Sequence, residues 1–240
     1  MVAEVKRIAP VNAPEKLRGK ISVISGDGFG ASAAIARLFM EHGAKVAIMG
    51  SEDRVRDPED FHRRSLARFG KTDILVINAG GSAPDTQRVP KRYPDVFAKD
   101  AFHAVKIGLP FLAGGASIVL TTPCLADAGA LGRSAQAVYQ QAMRYFVRVF
   151  SSECSRLGIR VNSVVPSQTA MAADCGRARA LVADSIRDVA HATLFLASDE
   201  SRSITGEEIV AADPLSLQPG PPFLPRINDP SRNGGIRLAT

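Results

Sequence analysis

The sequence predicts an α/β fold, a doubly wound parallel sheet, formed by one domain within 240 residues. Short runs rich in β-branched residues alternate with segments whose apolar residues recur at helical spacing. Parallel strands need a crossover between them, usually a helix, so this alternation indicates a parallel sheet covered by helices. The strand-like runs are GKISVISG (19–26), AKVAIMG (44–50), TDILVINAGG (72–81), ASIVLTTP (116–123), IRVNSVVP (159–166) and GEEIVAAD (206–213).

The segments between these runs carry helix signals. ASAAIARLFMEHG (31–43) has apolar residues at helical spacing and ends on glycine. DPEDFHRRSLARFG (57–70) opens on an acidic first turn and also closes on glycine. SAQAVYQQAMRYFVRVFSSECSRLG (134–158) predicts the longest helix of the chain. Two further helices are expected over 98–112 and about 184–198.

Composition and charge exclude several classes of function. The net charge of +6 comes from basic residues scattered among acidic ones, so we do not expect nucleic-acid binding. No apolar run approaches the ~20 residues of a membrane span, and the first residues lack a hydrophobic signal core. The cysteines are too far apart for a CxxC pair, and each histidine stands singly on a predicted helix. We therefore expect a cytoplasmic protein with reduced thiols and no metal site.

Three regions divide the chain. Residues 1–16 are expected to form an N-terminal extension, and residues 17–213 a single domain. Residues 214–240 form a tail that is rich in proline and glycine and has no period, but still carries large apolar residues. The tail is either a frayed end or an extended arm lying across a neighbouring subunit.

An ordered series of five motifs covers residues 17–213: LRGKISVISG with the following GFG, LVINAG, ASIVLTTP, LGIRVNSVVPS and FLASDESRSITGEEI. In order and approximate spacing, this series resembles the short-chain dehydrogenase/reductase family. The resemblance implies a Rossmann-type sheet and a dimer or tetramer assembled through the long helices. The aromatic residues at helical spacings are accordingly expected to pack in the core or in a subunit interface. They are Phe102, Tyr139, Phe146 and Phe150.

The resemblance also implies a dinucleotide site, from which this chain departs. The family places a glycine-rich turn after the first strand, where backbone amides meet the pyrophosphate. Gly26, Gly28 and Gly30 remain, but the turn is about two residues short compared with the family pattern. Asp27 stands beside the expected phosphates, which its charge would repel. We interpret these glycines, and Asn78 in the INAGG turn, as vestigial, and we expect no cofactor in this chain.

The part of the implied site that would hold the adenosine also lacks features of the family. The family usually carries an acid or a base at the end of the second strand, where this chain has Gly50. Residues 51–71 leave room for one helix, whereas the resemblance implies a helix, a strand and a second helix. The sequence therefore predicts that one strand–helix unit is lacking between the second strand and the INAGG strand.

All four catalytic positions implied by the resemblance are substituted. The tyrosine position falls on Gln136 and the lysine position, four residues later, on Gln140. A phenol with a pKa of ~10 needs an adjacent ammonium to exchange protons near neutrality, and Lys106 is the last lysine of the chain. The serine position falls on Pro123 and the asparagine position on Phe97. We expect no catalytic residues in this chain.

Two hypotheses on function follow. In the first, the chain is a catalytically inactive subunit that stabilises an active homologous partner, an NAD-dependent hydroxyacyl-CoA dehydrogenase, in a heterotetramer. NAD would then bind the partner. In the second, the chain is a ligand-binding or differently catalytic protein that reuses the old substrate cleft without nicotinamide. An active reductase with displaced catalytic groups is the third and least favoured alternative.

Overall fold

The structure, a computed structural model, describes residues 15–26, 28, 30–50, 57–78, 93–122, 134–166 and 176–211. For 93–100, 134–137, 139 and 176–183 it describes the backbone only. The expected extension 1–16, apart from its last two residues, and the arm 214–240 lie outside the described residues. None of the helices described is long and apolar enough to cross a lipid bilayer.

Strands and helices alternate along the described chain, as predicted. The strands are β1 (Ile21–Ser25), β2 (Lys45–Met49), β3 (Thr72–Asn78), β4 (Leu112–Thr121), β5 (Arg160–Pro166) and β6 (Glu208–Ala211). The helices are α1 (Gly30–Glu41), α2 (Pro58–Phe69), α3 (Tyr93–Gly108), α4 (Ser134–Cys154) and α5 (Gly176–Ala197). Short 3-10 turns follow α3, α4 and α5 at Leu109–Phe111, Ser155–Leu157 and Asp199–Ser201.

The described strands form one parallel sheet in the order β2-β1-β3-β4-β5-β6. The prediction of a doubly wound parallel sheet is confirmed. Between β2 and β3 the described residues contain a single helix, α2. This agrees with the predicted lack of one strand–helix unit, and it leaves β2 at the edge of the sheet.

Several element boundaries differ from the sequence prediction, the larger shifts being in α3, β4 and α5. α3 begins at Tyr93 rather than at residue 98. α3 ends at Gly108 rather than at residue 112, because Pro110 lies in a separate 3-10 turn. β4 begins at Leu112, four residues early, and its register with β3 shifts between Thr72 and Ile74. α5 begins at Gly176 rather than near 184, since the alanine, leucine and arginine residues that follow Gly176 are strong helix formers.

Buried apolar side chains form one cluster on each face of the sheet. On one face, strand residues such as Val23 and Leu75 pack against Phe61 of α2 and Val147 of α4. On the other face, Ile24 and its neighbours pack against α1 and α5. This double cover explains why the strands read as nearly continuous apolar runs.

Candidate functional site

The winding of the chain changes direction between β1 and β3. From β1 the chain moves outward to β2 through α1, and it then returns past β1 to β3 through α2. Ligands of open α/β sheets bind outside the carboxyl ends of the strands at such a switch point. Gly26 follows β1 and Asn78 ends β3, so the structure brings these two predicted site residues to this crevice.

Gly26 is held closely by α1. A Cβ atom built on Gly26 would lie 2.5 Å from Ser32 Cβ and 3.7 Å from Asn78 Nδ2. Ser32 is buried, so α1 can approach β1 this closely only because residue 26 has no side chain. Packing therefore accounts for Gly26, and Ser32 is a contact that the sequence patterns did not single out.

Gly28 and Gly30 differ from Gly26. Both have a positive φ, 75° and 55°, and a Cβ atom on either would have no other described residue within 4 Å. These two glycines give the short turn its backbone conformation. Asp27 and Phe29, which alternate with them, lie outside the described residues.

The residues present fit a dinucleotide poorly. The turn between β1 and α1 has a single residue, Asp27, between Gly26 and Gly28, and Gly26 is packed against Ser32. On the adenine side β2 is the sheet edge, so no further strand of the described sheet borders the crevice there. Gly50 is described, whereas Glu52 and Asp53, the next acidic residues that could reach a ribose, lie outside the described residues.

Two buried threonines, Thr121 and Thr122, lie at the carboxyl end of β4. Thr121 donates a hydrogen bond from Oγ1 to Asn78 Oδ1 at 2.9 Å, which ties β4 to β3 at the carboxyl edge. The side-chain carbonyl of Asn78 therefore accepts a hydrogen bond that connects two strands. Thr122 is buried, and its Oγ1 has no hydrogen-bond partner among the described residues. Pro123, at the serine position, lies outside them.

The glutamines at the two catalytic positions of α4, Gln136 and Gln140, cannot replace the tyrosine and lysine that the resemblance implies. Gln140 is buried on the side of α4 that faces the sheet. Gln136 lies one turn earlier, and Phe97 lies on α3; only their backbones are described. A carboxamide does not ionise near neutral pH, so it neither exchanges a proton with substrate nor lowers the pKa of a phenol.

The charged group nearest to these positions along α4 serves another purpose. Arg144, one turn after Gln140, donates from Nε to Glu208 Oε1 at 3.1 Å and so joins α4 to β6. This hydrogen bond raises the pKa of Arg144 above its ordinary value. Arg144 is therefore a fixed cation in a structural ion pair and cannot transfer a proton.

The thiol of Cys154 and the described histidines form neither a reactive thiolate nor a metal-binding cluster. Burial raises the pKa of Cys154 to about 11, so its thiol is protonated and unreactive near neutrality. Within the described ranges no three His, Cys, Asp or Glu residues lie close enough to hold a metal ion. The expectation of no metal stays a prediction, since part of the chain is outside those ranges.

Comparison with known proteins decides the family. The profile described as enoyl-(acyl carrier protein) reductase matches residues 54–213, which is more than half of the chain. The chain belongs to the short-chain dehydrogenase/reductase family. Two relatives at similar distance support this. One is short-chain dehydrogenase reductase 5 of Arabidopsis thaliana, 30% identical over 81% of this chain and 93% of its own length. The other is momilactone A synthase of Oryza sativa subsp. japonica, 28% identical over 84% of this chain and 92% of its own length.

Solved structures of the family share the fold. Aldohexose dehydrogenase of Thermoplasma acidophilum matches with a TM-score of 0.69 at 20% identity, over 86% of this chain and 97% of that one. A dehydrogenase/reductase of Sinorhizobium meliloti matches with a TM-score of 0.68 at 22% identity, over 82% and 95%. At these identities the likeness concerns the fold and not the reaction.

Proposed function

We propose that this chain is a catalytically inactive short-chain dehydrogenase/reductase subunit that stabilises an active homologous partner in a hetero-oligomer. NAD would bind the partner and not this chain. The proposal is supported by the contrast between the fold and the site. The chain keeps the parallel sheet and helices of the family apart from one strand–helix unit, whereas the catalytic positions implied by the resemblance are substituted.

One observation carries the proposal. In this family, as the resemblance implies, hydride exchange depends on a tyrosine and a lysine one turn apart on the helix that is α4 here. In this chain both positions are glutamines, and one of them, Gln140, is buried against the sheet. No lysine follows Lys106, so a shift of the alignment along α4 does not restore the pair.

The partner that we propose is an NAD-dependent hydroxyacyl-CoA dehydrogenase. The pattern of substituted positions, together with the tail 214–240, resembles the inactive subunit of the enzyme that acts on 2-(hydroxy(phenyl)methyl)succinyl-CoA in anaerobic toluene degradation. This assignment of substrate and pathway extends the proposal beyond the family and needs its own test.

Co-expression tests the proposal. The chain is produced with a family member that retains the Tyr-x-x-x-Lys pair and is encoded in a neighbouring reading frame, and the complex is sized and assayed with NAD and the acyl-CoA substrate. We expect a stable complex whose turnover is lost when the partner's tyrosine is replaced by phenylalanine. The matched substitution here, Gln136→Phe, is expected to leave turnover within about twofold, because residue 136 takes no part in the reaction. If this chain forms no complex with the co-expressed family member, that result contradicts the proposal.

Thr122 supports the second candidate, a protein that binds a ligand in the old cleft. A buried hydroxyl without a partner is costly, and a ligand carbonyl or hydroxyl at the end of β4 could satisfy it. Screening small acyl and hydroxy compounds by thermal shift tests this candidate. It predicts stabilisation of the wild type that is lost in Thr122→Val, which keeps the shape of the side chain and removes the hydroxyl.

A further inference from the structure

β2 is an edge strand, and its outer side pairs with no strand among the described residues. Its inner side pairs with β1 along its whole length and without a bulge. Lys45 donates from its amide to Lys20 O at 2.9 Å, so the backbone groups of Lys45 point inward. Successive residues of a strand direct these groups to alternate sides, so those of Val46 and Ile48 point outward. We call the outward amide and carbonyl groups of Val46 and Ile48 the β2 edge.

The centre of the β2 edge lacks the features that usually protect an edge strand from pairing, which are proline, a bulge or charged side chains. Val46 and Ile48 are β-branched, and Ala47 stands between them. Lys45 is exposed but lies at the start of the strand. The side chain of Ile48 is 36% exposed and adds apolar surface. The β2 edge is therefore a surface with which a further strand can pair.

We propose that the β2 edge pairs with the β2 edge of a second copy of this chain, which joins the two sheets into one. The two strands run antiparallel about a two-fold axis at Ala47. Val46 then lies opposite Ile48 of the partner subunit, and each residue of such a pair donates one hydrogen bond and accepts one. Because the axis generates this pair twice, the contact satisfies all the outward groups of both copies.

The side chains of β2 suit this register. Ala47 lies opposite Ala47 of the partner subunit in a pair without hydrogen bonds, where the Cα atoms approach to about 4.5 Å and a small side chain fits. Val46 and Ile48 lie on the other face of the sheet, which α1 covers. There each Ile48 packs beside Val46 of the partner subunit, and such cross-strand pairs stabilise a sheet. The exposed surface of Ile48 is buried by this contact.

The charges at the two ends of β2 favour a second copy as the occupant. Lys45 begins the strand with an exposed side chain. Glu52 and Asp53 follow the strand in the sequence, outside the described residues. Antiparallel pairing brings the start of each strand to the end of the other, so the basic start of one copy meets the acidic end of the second. A parallel pair would set like charges side by side.

The β2 edge is distant from the other surfaces considered above. The tail 214–240 follows β6, which is the opposite edge of the described sheet, ~24 Å away at ~4.8 Å between neighbouring strands. The contact also does not involve the long helices through which the resemblance implies assembly. It is argued from β2 alone and does not depend on the proposed function.

Cysteine crosslinking of the full chain tests the register. In Ala47→Cys the two introduced thiols face each other across the axis, with Cα atoms about 4.5 Å apart, which suits a disulfide. In Ile48→Cys they are offset by two residues and about 8 Å apart, which is too far. After mild oxidation we expect crosslinked dimers of Ala47→Cys only, although Ile48 is the more exposed residue. The wild type is the control for the native cysteines. Equal crosslinking of the two variants, or none in Ala47→Cys, would overturn the proposal.

Sedimentation over a concentration series tests the contact without a new thiol. Ile48→Lys places a charge at the pairing edge, and we expect the dissociation constant of self-association to rise ~10-fold or more. Leu157→Lys is the matched control, because Leu157 is 54% exposed, lies after α4 and receives the same charge. It should leave the constant within about twofold. A monomeric wild type, as expected if another segment of this chain covers β2, contradicts the contact, and so do equal effects of the two variants.

Neither experiment contains an active relative of this chain. If the chain pairs through β2 but forms no complex with such a relative, the proposed function fails and the β2 contact stands. If the chain binds the relative but shows neither the crosslink nor the effect of Ile48→Lys, the β2 contact fails and the proposed function stands.

Discussion

Arg160 and Asn162 of the IRVN motif hold the segment that follows α5 against the sheet. The Arg160 guanidinium donates to Leu196 O and Ser201 Oγ, both at 2.9 Å, and to Ser198 O at 3.2 Å. Asn162 is fully buried; it donates to Ile204 O and accepts from the Glu207 amide, each at 3.0 Å. Asn162 satisfies backbone groups at a buried place, and Arg160 adds charge-assisted hydrogen bonds to two carbonyl groups that also accept from Ser201. These motif residues are therefore explained by folding, with no reference to cofactor or substrate.

Replacing Arg160 tests this structural role. Arg160→Ala removes three charge-assisted hydrogen bonds at the end of α5, and we expect the free energy of unfolding to fall by about 2–3 kcal/mol. Urea unfolding followed by circular dichroism measures the change. Arg156→Ala, an exposed arginine on the preceding turn, is the control and should alter stability by less than about 0.5 kcal/mol. Equal losses in both variants would contradict the role assigned to Arg160.

His62 gives the fold a pH dependence. It is buried on α2, stacked on Phe111 at a ring distance of 5.3 Å, and its Nδ1 has no hydrogen-bond partner within the described residues. Burial lowers the pKa of His62 to about 4. Between that value and the ordinary pKa of ~6.5, the unfolded chain binds a proton that the folded chain does not. Stability is therefore complete above pH ~6.5 and falls as the pH drops towards 4.

Unfolding measured between pH 7 and pH 4 tests this linkage. We expect His62 to account for a loss of up to about 3 kcal/mol across the window, at ~1.4 kcal/mol per pH unit. His62→Phe should flatten the profile over that window relative to the wild type. His191→Asn, which replaces an exposed histidine, should keep the wild-type slope. An unchanged slope in His62→Phe would show that other groups control the acid sensitivity.

In the turn between β1 and α1, the first glycine, Gly26, is required for the close packing of the helix against the strand. Gly26→Ala would place a Cβ atom 2.5 Å from Ser32 Cβ and so push α1 away from the sheet. We expect a loss of about 1–3 kcal/mol in thermal or urea unfolding, without any ligand present. Gly28→Ala meets no neighbour and strains only a backbone with a φ of 75°, so it should cost about 1 kcal/mol. If the two variants unfold alike, the Ser32 contact does not explain Gly26.

The alternation of strands and helices could be predicted from the sequence, because each buried strand is a short apolar run and each crossover carries a helical period. The missing unit could also be predicted, since residues 51–71 hold one helix. Other features depend on tertiary contacts and could not. The Arg144–Glu208 ion pair joins residues 64 positions apart, and the exposed side of α4 becomes visible only when the sheet defines its inner side.

At the candidate site, the sequence alone indicates which catalytic positions are substituted, but it does not indicate which residues surround them. The sequence places Gln140 at the lysine position of the family, and the structure shows that Gln140 is buried on the side of α4 that faces the sheet. The sequence indicates only that Asn78 is vestigial, whereas the hydrogen bond that Asn78 accepts from Thr121 shows that it ties β3 to β4. The Gly26–Ser32 contact had no sequence signal, because any small residue on α1 could have filled that place.

The whole molecule combines a six-stranded parallel sheet of the short-chain dehydrogenase/reductase type with glutamines at the two positions where the resemblance implies a tyrosine and a lysine. The two features are compatible because the contacts that build the sheet, such as those of Arg160 and Asn162, are separate from the groups that perform the reaction. The proposed function requires only that such a subunit keep its fold and its contact surfaces, which do not depend on a reaction of its own.

The proposed function requires that this chain by itself neither bind a nicotinamide nucleotide nor act on one. Thermal unfolding of the purified chain with NAD⁺, NADH, NADP⁺ or NADPH tests it most directly, because any nucleotide that binds the folded state must stabilise it. We predict melting curves that coincide with and without each nucleotide. Saturable stabilisation, reaching about 2.7 kcal/mol at a hundredfold excess over Kd, would contradict the claim.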